Sequence, residues 1–73
     1  MTPVAVCLLK QRLIEQARKA IEDLLRLNNE DMQAVLDADW RKTAKLEVEL
    51  QAAREARDTA MEAYRQHVIE HGC

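Results

Sequence analysis

The sequence predicts an all-α fold: an antiparallel hairpin of two helices that dimerises into a four-helix bundle. Three observations carry this expectation. Ala, Leu, Glu, Gln, Arg and Lys dominate the 73 residues, and these are strong helix formers. A single Gly and a single Pro leave too little turn chemistry for a sheet with several hairpins. Finally, apolar residues recur at steps of three and four along two stretches of nearly equal length, separated by Leu36-Asp37-Ala38-Asp39. The chain therefore reads as one domain, with helix 1 over about 3–36, a turn at 37–39 and helix 2 over about 40–71.

Helix 1 opens on Thr2-Pro3. Thr caps free backbone N–H groups, and Pro suits the first helical position, where its missing N–H costs nothing. Leu9, Leu13, Ala17, Ala20, Leu24 and Leu27 follow at helical spacing, flanked by Ile14, Ile21, Leu25, Met32 and Val35. At 100° per residue they cover an arc of about 160°, wider than one neighbouring helix requires. That excess is the main reason to expect a dimer. The opposite face carries Arg18, Glu22, Arg26 and Glu30 at four-residue steps, with Glu15, Lys19 and Asp23 as a second ladder. Such pairs read as a solvated face, each contributing a few tenths of a kcal/mol.

Asn28-Asn29 is the weakest point of helix 1, because Asn favours caps over helix interiors. A break there would leave unequal arms, and equal arms bury more, so the reversal belongs at 37–39. Asn28 then lies inside the apolar arc, where a buried Asn sets register. Asp37 or Asp39 caps helix 2. Trp40, beside the turn, reads as a lid over the closed end or as an exposed aromatic anchor for a partner.

Helix 2 carries a heptad seam: Thr43, Leu46, Leu50, Ala53, Arg57, Ala60, Tyr64, His67 and His71. Its second half is polar or amphipathic. Arg57 in such a seam either snorkels, with its stem buried and its guanidinium in water, or pairs with a carboxylate. The interface residues expected from both helices are Leu9, Leu13, Leu24, Leu27, Leu46, Leu50, Ala53, Arg57, Ala60 and Tyr64.

With the turn centred on Ala38, the open end of the hairpin gathers Cys7, His67, His71 and Cys73. His67 and His71 lie one turn apart on one face, the spacing at which two imidazoles share a metal ion. Two thiolates and two imidazoles make a tetrahedral set for zinc or another transition metal. The competing readings are two amphipathic His residues closing the bundle end, and a disulfide between Cys7 and Cys73. No other cofactor is implied. There is no Ser/His/Asp set, glycine-rich phosphate loop or EF-hand spacing, so the expectation is no enzyme.

Eleven Ala and no Phe make a thin core, and a chain of this size buries only roughly 60% of its unfolded surface. Association is a common remedy. A net charge of −2 offers no basic excess for phosphates, so nucleic acid gains no support from bulk charge. No apolar run reaches the length of about 18 residues that a membrane span needs. The apolar stretch Val4 to Leu9 lacks a basic start and is too short for a signal peptide, which leads to a cytoplasmic expectation with reduced thiols.

The turn Leu36-Asp37-Ala38-Asp39 resembles that of the Rop family, small plasmid proteins whose hairpins pair into antiparallel four-helix bundles. The resemblance covers these four residues together with length and layout. It implies a dimeric hairpin, and it introduces RNA binding as an alternative function. That family binds paired RNA loops through polar and basic residues of its first helices with a Phe, and this chain has no Phe. The leading functional expectation is a non-enzymatic interaction or structural module whose partner is itself or the helices of a larger protein. A metal- or redox-responsive protein is the second reading.

Overall fold

A computed structural model describes residues 3–72, with side chains described from residue 8 onward. Two helices account for nearly all of it: α1, Pro3–Leu36, and α2, Trp40–His71. They pack against each other and run antiparallel in a rod of 55 × 13 × 12 Å. At about 1.5 Å per residue, the 34 residues of α1 span most of that length. Both helices begin and end where the apolar periodicity places them. Pro3 takes the first position of α1, while Thr2, expected as its cap, lies outside the described residues.

The reversal is compact because one residue serves both helices. Ala38 donates its N–H to Val35 O at 3.0 Å, and Asp39 donates to Ala34 O at 2.9 Å. This 5→2 and 6→1 pair is a Schellman ending for α1. It requires a left-handed residue, and Ala38 supplies one with φ 55°. Glycine is the usual occupant because a Cβ disfavours that region. Asp39 then starts α2: its carboxylate accepts from the Lys42 N–H at 3.1 Å, and its carbonyl accepts from Thr43 N–H at 3.0 Å. Of the two candidate caps, Asp39 therefore caps α2. Asp37 instead accepts from the Gln33 side chain at 3.0 Å. Gly72, with φ 67°, closes α2 by donating to Val68 O at 2.8 Å.

The core is one seam deep. Leu24, Leu27, Ala34, Leu46 and Leu50 are buried, with Ala53 packed beside them. On α2, Thr43, Ala53, Arg57, Ala60 and Tyr64 are half-buried, and Leu46, Leu50 and His67 are buried, so the expected heptad seam is the face turned to α1. On α1 the matching seam runs Leu13, Ala17, Ala20, Leu24, Leu27, Asp31 and Ala34. Asp31 was not expected there. One of its carboxylate oxygens, Oδ1, is sealed from solvent without a hydrogen-bond partner.

Three expectations need correction. Trp40 is 64% exposed and is no lid, because the compact turn already closes that end. Asn28 is exposed, since it falls on the half of the α1 arc that α2 does not cover. Glu15 engages Arg18 rather than Lys19, so the second charge ladder does not form as spaced. The first ladder does form, with Arg18 bridging to Glu22 and Arg26 to Glu30 at 3.4 Å. Arg57 snorkels: its side chain is 34% exposed, and Nη2 reaches Asp58 Oδ1 on its own helix at 2.9 Å.

Candidate functional site

The interface residues expected from the sequence fall mainly on the intrachain seam. Leu24, Leu27, Leu46 and Leu50 are buried there, and Leu13, Ala53, Arg57, Ala60 and Tyr64 are half-buried. Leu9 is 45% exposed. With the seam occupied by the hairpin itself, the surface left for a partner is set by the seam's neighbours.

Those neighbours differ sharply on the two sides of α1. The residues one position before each seam residue are Arg12, Gln16, Lys19, Asp23, Arg26, Glu30 and Gln33, all polar. The residues one position after are Ile14, Arg18, Ile21, Leu25, Asn28, Met32 and Val35, five of them apolar. Ile21 is 38% exposed, and Leu25 and Met32 are each 58% exposed. Both helices are right-handed and run in opposite directions, so the residue after a seam position points to the same side of the rod in each. Met61 and Val68 of α2 follow Ala60 and His67, and extend the α1 stripe toward the open end. The α1 half of this side is therefore apolar, while α2 brings Glu47, Gln51, Arg54, Asp58 and Arg65 to it beside Ala44, Met61 and Val68. Sequence periodicity recorded the width of the arc but not its division between a covered and an uncovered half.

Charges line the α2 half of this side and flank its α1 half. Arg18 lies between Glu15 and Glu22, and these carboxylates hold its guanidinium more firmly protonated than usual, Glu15 first through its hydrogen bond. The same hydrogen bond from Arg18 lowers the pKa of Glu15. Near the turn, a surface groove brings Arg26, Arg41, Lys42 and Lys45 together with Glu30, Asp39 and Glu49. Opposite charges interleave there, so the groove offers no unopposed basic track for a phosphate backbone. A second open groove follows α2 between Met61, Tyr64, Val68 and Ile69.

At the open end, the His67 and His71 ring centres lie 4.8 Å apart with their planes inclined at 47°. His67 is buried at 5% exposure, and its Nε2 has no hydrogen-bond partner. His71 is more open, with its side chain 32% exposed, and its Nε2 lies 4.0 Å from Glu70 Oε2. The other two members of the expected metal set, the side chain of Cys7 and all of Cys73, lie outside the described residues, as does a bond between them. Among the described residues, no three metal-ligating side chains gather in one place.

Among those residues no helix is long and apolar enough to cross a membrane. No family model matches the chain, and neither a curated protein nor a solved structure matches it.

Proposed function

We propose that the chain is a non-enzymatic self-associating module, whose apolar side is covered by the same side of a second copy to complete a four-helix bundle. The observation that carries this reading is surface area. The hairpin exposes 5511 Å², whereas a compact monomer of 8.4 kDa exposes about 4,600 Å². The excess, about 900 Å², is spread over an elongated rod of 55 × 13 × 12 Å, and it is comparable in size to the roughly 800 Å² that each partner contributes to a standard interface. A second copy is the occupant because twofold self-pairing of one patch is the commonest assembly of soluble proteins. The flanking charges suit it, since Arg18 and Glu22 alternate in sign and do not repel an identical face. Asn28 then sits within the apolar pairing, where a lone polar residue selects register.

Sedimentation equilibrium across a hundredfold range of concentration tests this directly. The expected species is twice the 8.4 kDa chain mass, shifting toward monomer in Leu25→Glu. Val48→Glu, on the outer surface of α2 at 73% exposure, leaves association unchanged. A helical monomer throughout the range overturns self-association. Equal loss in Leu25→Glu and Val48→Glu overturns the assignment to this face.

A further inference from the structure

The last two turns of α2 hold two imidazoles that the apolar side does not involve. We propose that His67 and His71 form a two-nitrogen chelate for a divalent transition ion of the zinc and copper class, with water completing its coordination. Three independent features support the site.

The first is geometry. Imidazole binds such ions at about 2.0–2.1 Å, and the ring centre lies roughly 1.1 Å behind the nitrogen. Two imidazoles on one ion at angles of about 90–110° therefore place their ring centres roughly 4.5–5.2 Å apart. The observed separation is 4.8 Å. Bringing both nitrogens to one ion then calls for rotation of each ring about its own side-chain bonds.

The second is the orphaned nitrogen. His67 is 95% removed from solvent and its Nε2 has no hydrogen-bond partner, in a protein whose described side chains show only one other such atom, on Asp31. A buried polar group in this state is destabilising. Coordination satisfies it, and the partly exposed His71 gives an ion a route in from solvent.

The third is position. His71 occupies the final turn of α2, where the helix dipole presents partial negative charge and favours a cation. Imidazole is a good ligand for zinc, copper and nickel, while hard oxygen-seeking ions such as magnesium and calcium find no matching donors in it. With two protein ligands the site is open, so its affinity is modest and its ion exchangeable.

The test is titration of the untagged full-length chain with Zn²⁺ and, separately, Cu²⁺. Electron paramagnetic resonance of the copper form counts the bound nitrogens. One ion per chain is expected, with Cu²⁺ tighter than Zn²⁺ as the general affinity order requires. Two imidazole nitrogens should appear on copper. His67→Gln and His71→Gln should each weaken binding at least tenfold, and Cys7→Ser with Cys73→Ser should leave it in place. Should His67→Gln unfold the chain, as judged by circular dichroism, the more exposed His71→Gln decides the matter alone. Stoichiometric binding that survives His71→Gln overturns the proposal. Loss of binding on removing the cysteines also overturns it, by making the thiols the ligands. Absence of binding tighter than millimolar leaves the pair as packing residues and ends the idea.

Discussion

Replacing Asp31 by leucine should stabilise this protein. The residue occupies a seam step between Leu27 and Ala34, both buried, and its Oδ1 is sealed from solvent without a hydrogen-bond donor. The orphaned oxygen costs about 1–3 kcal/mol, and the lower end applies because the residue as a whole is only half-buried. A half-buried leucine contributes about 1 kcal/mol of apolar burial in its place. The expected gain for Asp31→Leu is therefore about 2 kcal/mol. In urea, a chain this small unfolds with a slope near 1 kcal/mol per molar, so the midpoint should rise by about 2 M. Asp31→Asn is the informative companion: it removes the charge, keeps a polar atom in the seam, and should gain less than half as much. The measurement belongs at one fixed protein concentration, because association contributes to the apparent stability. A lower midpoint for Asp31→Leu with an unchanged slope would refute the reasoning. It would mean that the carboxylate makes an interaction worth more than its desolvation.

Two further outcomes follow from the hairpin. Leu50, at 2% exposure, is the most completely buried large side chain, so Leu50→Ala should cost about 2–5 kcal/mol. A chain of this length has only about 4–11 kcal/mol in total, so thermal melting should show a variant that is partly unfolded or close to it. Ala38→Gly should act the other way: removing the left-handed alanine relieves about 1–2 kcal/mol, offset by about 0.5–1 kcal/mol of extra freedom in the unfolded chain. The melting temperature should rise by a few degrees, and a fall would show that Ala38 is unstrained.

The helices and their boundaries were legible because helical apolar spacing persists on both sides of the turn. The α2 seam was legible from Thr43 to His67, since steps of three and four leave little choice of face, while His71, expected as its last member, is exposed. The α1 arc was harder to divide. Spacing shows that Leu24 and Leu25 both lie within it, yet the first is 7% exposed and the second 58%, and only the position of α2 separates them. Asp31 escaped because an acid in a mostly polar stretch reads as surface until Leu27 and Ala34 are recognised as its seam neighbours. Ala38 escaped for a related reason: an alanine carries no signature of a left-handed backbone, so glycine rules do not find it. Trp40 was misjudged because a large aromatic beside a turn suggests a lid, whereas the hydrogen bonds of the turn need no cover. At the candidate metal site, the His67–His71 spacing was visible in the sequence, but the burial of one imidazole and the openness of the other were not.

The turn also sets an order of assembly in time. Contacts beside Ala38 join residues only a few positions apart in sequence, while those at the open end join residues separated by nearly the whole chain. Loop-closure entropy grows with that separation, so the first contacts to form are those nearest the reversal, and each later pair finds its partner already close. The hairpin should therefore zip outward from Asp39, with Ala34 and Leu46 meeting before Leu13 and Tyr64. Opening proceeds in reverse, which makes His67 among the first seam residues of α2 to come apart and gives amide exchange a gradient along the rod. The two imidazoles stand at that end but both belong to α2, so an ion held between them would firm the last turns of that helix without tying them to α1.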